Sequence, residues 1–200
     1  EKTLALEPND LPTLLTLCAV LPERLPQDEQ KRSDQLTKAL DYSQRALTQV
    51  DTLTKAPKPA QLTDEQWSAE RNRLMSTVNS SMTRVYWNKK DYPKAAEGYE
   101  TAVGDVKTNP IDWYRLGIAY SLQARAQALE MNKLVQAQQQ GQQPAAGAPT
   151  IDDYKKKFEE FRDKAITSLA KSVALKGATE AQARNELEKL YKTKNNDKLD

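Results

Sequence analysis

The chain has 200 residues and a formal net charge of +2; 29% of its residues are charged and 38% are hydrophobic. Because Lys and Arg are interleaved with Asp and Glu, the charge balance gives no reason to expect binding to nucleic acid or to an anionic membrane. The chain has no histidine and one cysteine, Cys18, which excludes Ser-His-Asp and Cys-His catalysis, an internal disulfide and a histidine or thiolate-cluster metal site.

These exclusions predict a protein that is not an enzyme, and we expect no metal and no cofactor. Carboxylates remain as candidate catalytic groups, but they lie beside Lys and Arg at helical spacing, where such pairs are usually solvated. No apolar run approaches the roughly 20 residues of a membrane-spanning helix, so we expect a soluble protein without direct membrane insertion. Cys18 lies within an apolar run, which predicts a small buried side chain rather than a reactive thiol.

The N-terminal half of the chain predicts four helices. Residues 1–8 have the pattern of the end of a helix, from which we expect that the sequence was cut from a longer chain. Apolar residues then recur at steps of three and four, the spacing of one helix face, and prolines separate the segments. Residues 63–66 match a capping box at the start of the third helix. The four predicted helices cover residues 11–21, 33–55, 63–89 and 93–106.

The C-terminal half predicts two long helices and a shorter last one. The first long helix, 110–139, spans about 45 Å at roughly 1.5 Å per residue. The uncharged segment 137–150, rich in Gln, Pro and Ala, is predicted as a flexible insertion. The second long helix covers 151–176, Gly177 is a C-terminal stop signal, and the last helix covers 180–193.

The long helices predict extended antiparallel hairpins. One hairpin consists of 110–139 and 151–176, and the pair 33–55 and 63–89 is extended similarly at the opposite edge of the array. Two interpretations remain open for these extensions. They are either tolerated insertions, since lengthening a loop costs little entropy, or arms that grip a partner or a second copy of the chain.

Two patterns recur along the predicted helices. In the fifth helix, Trp113, Leu116, Gly117 and Tyr120 have the spacing W-x2-L-G-x2-Y. Three other helices share a second pattern. A small residue is followed four positions later by a larger one and three positions after that by another small one: Ala39, Ser43 and Ala46; Ala95, Tyr99 and Ala102; and Ala165, Leu169 and Ser172. Small residues at such positions let two helices approach closely, while the larger residue fills the gap between them.

These patterns resemble the tetratricopeptide repeat, a helix–turn–helix unit of about 34 residues that occurs in arrays. The resemblance implies an all-α fold, a right-handed superhelix of stacked helix hairpins with extended helices and a C-terminal capping helix. On this interpretation residues 1–200 form a single solenoid. Its parts are three repeats (8–55, 63–109 and 110–177), the insertion 137–150 and the capping helix 180–193.

The resemblance also implies where a partner binds, because in this family the first helices of the pairs line a concave groove. The groove-facing positions in this chain are Arg84, Trp87, Asn88, Tyr114, Arg115, Ile118, Ser121 and Arg184. Trp, Tyr and Arg are the residue types that dominate protein interfaces. Packing against a neighbouring helix is the alternative for Trp87 and Tyr114, and ordinary solvation is the alternative for Arg84 and Arg115.

The function predicted from these features is a non-enzymatic scaffold that binds a protein or peptide. One alternative is a structural protein that self-associates through its arms or its open ends, and another is a regulatory module of a longer chain. A receptor for chaperone tails is not predicted, because the asparagines of the family's carboxylate clamp are replaced by Ala19, Arg84 and Ile118. Both the bacterial cytoplasm and the bacterial cell envelope fit this composition.

Overall fold

The computed structural model describes residues 2–104, 109–145 and 147–194, and every regular element within these ranges is helical. The all-α prediction is therefore confirmed for the described residues. The α-helices are α1 (Lys2–Leu6), α2 (Leu11–Val20), α3 (Glu29–Lys55), α4 (Asp64–Asn88), α5 (Tyr92–Gly104), α6 (Pro110–Gln139), α7 (Ile151–Leu175) and α8 (Glu180–Lys194), with a short 3₁₀ helix at Leu21–Glu23. The chain falls into two compact units, Glu1–Lys94 and Ala95–Asp200, and each is described by itself.

The helix starts follow local capping contacts. The predicted capping box is confirmed, because the Gln66 amide donates to the Thr63 hydroxyl and the Thr63 amide donates to the Gln66 side chain. The predicted start of α3 at residue 33 is wrong. The Asp28 side chain accepts a hydrogen bond of 2.8 Å from the Lys31 amide and so begins the helix four residues earlier.

The first unit is built from helices that pack in succession. α2 contacts α3, α3 contacts α4, and α2 also contacts α4. One apolar cluster of buried side chains joins these helices to α1: Leu4, Leu14, Ala46, Val50, Leu74 and Val78. Cys18 is completely buried, and this burial raises the pKa of its thiol, so the prediction of a packed rather than reactive cysteine agrees with its position.

Polar side chains hold the 3₁₀ segment of the first unit in place. The Asn88 side chain donates a hydrogen bond of 3.0 Å to the Pro22 carbonyl. The Gln35 side chain donates to the carbonyls of Leu21 and Arg24, at 2.7 and 2.8 Å. Carbonyls that no helix satisfies thus find side-chain donors on α3 and α4.

The second unit contains the predicted antiparallel hairpin, formed by α6 and α7, and α8 packs against both of these helices. At its base the Ser172 hydroxyl donates a hydrogen bond of 2.8 Å to the Pro110 carbonyl. At Gly117 the two helices touch, since a Cβ atom there would lie 2.6 Å from the Leu169 Cγ. The predicted role of this glycine, to allow close approach, is confirmed.

The hairpin has two different halves. In the basal half, the buried residues of α6 fall between Leu116 and Ala124, and those of α7 fall between Ala165 and Ser172. In the distal half, residues 125–139 and 151–164, the structure buries no residue. The distal half is therefore a two-helix arm whose side chains are exposed or only partly buried. The described residues of the connecting segment are exposed, and α6 ends at Gln139, the predicted end of this helix.

The positions of the small-residue pattern are core positions. Eight of its nine residues are buried: Ala39, Ser43, Ala46, Ala95, Tyr99, Ala165, Leu169 and Ser172. Thr83 in α4, 34 residues before Gly117, and Cys18 in α2 are buried as well.

None of the described helices is long and apolar enough to cross a lipid bilayer.

The contact at Gly117 generates a stability prediction. Gly117→Ala should lower the free energy of unfolding by about 1–3 kcal/mol, because the new methyl group overlaps Leu169 and forces α6 and α7 apart. Chemical denaturation followed by circular dichroism measures this change. Gly104→Ala is the matched control: nothing lies within 4 Å of a Cβ atom there, so alanine should be neutral or stabilise by up to about 1 kcal/mol. Equal effects of the two substitutions would contradict the close approach.

Candidate functional site

Three of the predicted groove residues lie in the last turns of α4, in the first unit, and all three are partly buried. Arg84 forms an ion pair with Glu23, and Asn88 is bonded to Pro22. The Trp87 ring meets the Tyr92 ring edge-on, with 5.8 Å between centroids and 75° between planes. These side chains therefore connect neighbouring segments of the first unit while keeping part of their surface accessible.

The predicted residues of the second unit divide between surface and interior. Tyr114, Arg115 and Ile118 on α6 are partly exposed, and Arg184 on α8 is exposed and paired with Glu180 at 2.9 Å. Ser121 is 3% exposed, so it does not line an accessible surface as predicted. It lies one helical turn after Gly117, on the face of α6 that α7 covers.

Tyr114 on α6 lies close enough to α8 to be influenced by two of its charged side chains. Its burial raises the pKa of its phenol, the negative charge of Glu186 raises it further, and Lys189 opposes the shift. A second link between the same helices is the ion pair of Arg125 with Glu186, at 3.9 Å. The α6–α8 surface therefore combines aromatic area with charges of both signs.

The second unit also contains a cavity that the sequence did not predict. It has a volume of about 620 Å³ and lies among α5, α6 and α7. Apolar and aromatic side chains form one part of its wall: Val103, Trp113, Leu116 and Tyr120. None of the eight predicted groove residues is among the described residues that line it.

Charged side chains form the rest of the cavity wall. Lys164 pairs with Glu160 at 2.9 Å, and this hydrogen bond and charge lower the pKa of Glu160. One oxygen of Asp163 accepts from Arg162 and from Lys194, both at 3.1 Å. These carboxylates have the spacing of solvated helix-face charges in the sequence, which is why sequence reasoning missed them.

The Tyr120 hydroxyl donates a hydrogen bond to the Glu100 carboxylate at the cavity wall. Burial, this hydrogen bond and the negative charges of Glu100 and Glu160 together raise the pKa of Tyr120 strongly. The phenol therefore stays protonated at neutral pH and acts as a donor. A distance of 6.2 Å separates the ring centroids of Tyr120 and Phe161, so the phenol is held by stacking as well.

Two ammonium groups of the chain lie over the cavity's aromatic rings. The Lys164 Nζ is 5.5 Å from the centroid of the Tyr120 ring, and the Lys171 Nζ is 4.2 Å from the centroid of the Trp113 ring. Both distances are within the range of about 6 Å in which a cation is attracted to a ring face. The wall is thus suited to ammonium groups by its rings and by its carboxylates.

Among the described residues, no group of three or more Cys, Asp or Glu side chains is arranged to hold a metal ion. Comparison with known protein families, curated proteins and solved structures gave no significant match. Function must therefore be inferred from the residues of this chain.

The Tyr120–Glu100 contact predicts a specific pH dependence. The folded state holds the Tyr120 proton more tightly than the unfolded chain does, because the pKa is raised on folding. The stabilisation that the folded state gains from this contact is therefore complete below about pH 10, the ordinary tyrosine pKa. It is lost as the pH rises further.

Tyr120→Phe should lower the free energy of unfolding by about 1–2 kcal/mol at pH 8, and the difference from wild type should shrink above pH 10. Urea denaturation at pH 8, 9, 10 and 11 measures both effects. Tyr154→Phe, on the distal half of α7, is the control and should keep the wild-type pH dependence. A difference between Tyr120→Phe and wild type that stays constant over this series would contradict the assignment.

Proposed function

We propose that this protein is a non-enzymatic scaffold of the tetratricopeptide type that binds a protein or peptide along the first helices of its helix pairs. The observation that carries the proposal is an arrangement that occurs in each unit. A first helix packs against the second helix of its own pair and also against the following helix: α2 against α3 and α4, and α6 against α7 and α8. Stacked helix pairs bury a continuous core in this manner.

The repeated small-residue positions support the same proposal. Cys18, Thr83 and Gly117 occupy equivalent places in the W-x2-L-G-x2-Y register, and all three are buried. A Cβ atom at Gly117 would overlap Leu169, and Cys18 and Thr83 are small buried residues, which supports a common packing role in both units. The right-handed superhelix and its concave groove remain part of the proposal.

The binding surface that we propose has one part in each unit. Arg84, Trp87 and Asn88 contribute in the first unit, and Tyr114, Arg115, Ile118 and Arg184 contribute in the second. Each of these side chains keeps accessible surface, and the set is rich in Arg, Trp and Tyr. Such residues give large contact area and directional hydrogen bonds at little cost in side-chain entropy.

Peptide selection tests this proposal. A displayed random-peptide library is enriched on the immobilised chain, and the dissociation constant of an enriched peptide is measured by calorimetry. The triple variant Arg84→Ala, Trp87→Ala and Tyr114→Ala should bind at least about 100-fold more weakly, as expected when interface anchors are lost.

The control for this experiment is a triple alanine variant at Tyr154, Lys155 and Lys156 on α7, a second helix. It should bind the peptide as the wild type does. Circular dichroism must show that both variants are folded. Enriched peptides whose affinity is the same for both variants would refute the assignment of the surface.

Self-association is the second candidate function, and the distal half of the α6–α7 hairpin favours it. The structure buries no residue there, and Leu129 is 56% exposed. A second copy that packs against this arm would cover apolar surface that is exposed in the single chain.

Light scattering across a concentration series distinguishes the two candidate functions. If the arm self-associates, the mass per particle rises with concentration for the wild type, and Leu129→Lys returns it to the monomer value. Lys133→Leu, one turn later on α6, serves as a control for a change of hydrophobicity and should not dissociate the assembly. If the wild type stays monomeric at about 1 mM, its dissociation constant for self-association lies above the millimolar range. That result would exclude this function.

A further inference from the structure

The cavity of about 620 Å³ in the second unit has no part in the function proposed above. Its volume lies within the range of about 300–1,000 Å³ that is typical of small-ligand sites, which are mostly apolar and have a few convergent polar groups. Here Trp113, Leu116 and Tyr120 supply the apolar wall, and carboxylates from α5 and α7 supply the polar groups.

The aromatic part of the wall already attracts cations. Lys164 lies over the Tyr120 ring and Lys171 lies over the Trp113 ring, at 5.5 and 4.2 Å from the centroids. Of these two lysines, only Lys164 lines the cavity itself. The Lys164 ammonium group is paired with Glu160 and lies at the cavity wall. We call it the internal occupant, because an external ammonium group would have to displace it or bind beside it.

The carboxylates give the cavity a preference for positive charge. Asp163 is balanced by Arg162 and Lys194, and Glu160 is balanced by Lys164. Glu100 accepts a hydrogen bond from the Tyr120 hydroxyl, a neutral donor that leaves the negative charge of the carboxylate in place. Burial is the main cause of the raised pKa of Tyr120, and the hydrogen bond to Glu100 and the negative charges of Glu100 and Glu160 add to it.

We propose that this cavity binds an organic ammonium group carried on an apolar stem, with the cation at Glu100 and Glu160 and the stem against Trp113, Leu116 and Tyr120. An anionic ligand would be repelled by the two glutamates. A neutral ligand of the same shape would fill the apolar wall but would desolvate Glu100 without supplying a positive charge to balance it. A free amine and the lysine side chain of a peptide both have the required chemistry.

Three probes of nearly equal shape test the proposal: 2-phenylethylammonium, 2-phenylethanol and 3-phenylpropionate. Each is titrated into the full chain, and binding is followed by the ¹H–¹³C NMR signals of the Leu116 methyl groups. The ammonium probe should bind at least about tenfold more tightly than the alcohol, which corresponds to one favourable charge interaction, and the carboxylate should bind least. Equal affinity for the amine and the alcohol, or no binding of the amine at 10 mM (roughly the limit of weak specific binding), would overturn the proposal.

Two substitutions should change the affinity in opposite directions. Glu100→Gln keeps an acceptor for the Tyr120 hydroxyl but removes the charge, and it should weaken binding of the amine about tenfold. Lys164→Met removes the internal occupant and should strengthen binding about three- to tenfold. Glu159→Gln and Lys155→Met, exposed positions on α7 outside the cavity wall, are the matched controls and should change little. Weaker binding of the amine by a folded Lys164→Met variant would refute the role of Lys164.

A further titration distinguishes the two sources of the ammonium group. The capped dipeptide N-acetyl-Phe-Lys-amide is compared with 2-phenylethylammonium. Tighter binding of the dipeptide assigns the site to a lysine side chain of a partner, and tighter binding of the free amine assigns it to a small molecule. The triple variant of Arg84, Trp87 and Tyr114 should retain binding of the amine, so that loss of the peptide-binding surface and loss of the cavity site are separate results.

Discussion

The Leu169 side chain occupies the space that a side chain at position 117 would need, and this contact fixes how α6 lies against α7. The other contacts of the hairpin follow from that register. Ser172 reaches the Pro110 carbonyl, and Phe161 stacks on Tyr120. Because these residues come from helices that run in opposite directions, a shift of one turn along either helix would separate all the pairs together. The wall of the cavity depends on the same register.

The first unit solves the same packing problem with different residues. Cys18 in α2 and Thr83 in α4 are buried there, so small side chains rather than glycine lie inside this unit. The 3₁₀ segment after α2 is then held by the side chains of Gln35 and Asn88. Apolar contacts therefore set the helix spacing in both units, while polar side chains fix the chain between helices only where carbonyl groups would otherwise lack donors.

Most of the fold could be predicted from the sequence because its signals are local. Apolar periodicity, prolines and the capping box at Thr63 located the helices to within a few residues, and Gly117 was recognised by its spacing from neighbouring aromatic residues. The cavity could not be predicted in this way. It combines Glu100, Tyr120 and Lys164, which are far apart in sequence and have ordinary local patterns. Ser121 shows the same limit, since only the path of α7 decides that this side chain is buried.

The outer turns of the α6–α7 hairpin, residues 126–139 and 151–157, have an evolutionary consequence. Residues 126–139 and 151–157 bury no side chain and line no part of the cavity, so the length of these outer turns is not tied to the core. Adding or deleting two turns in each helix would change the reach of the arm by roughly 10 Å and leave the contacts at Gly117 and Tyr120 in register. Related chains are free to differ in arm length while sharing one base.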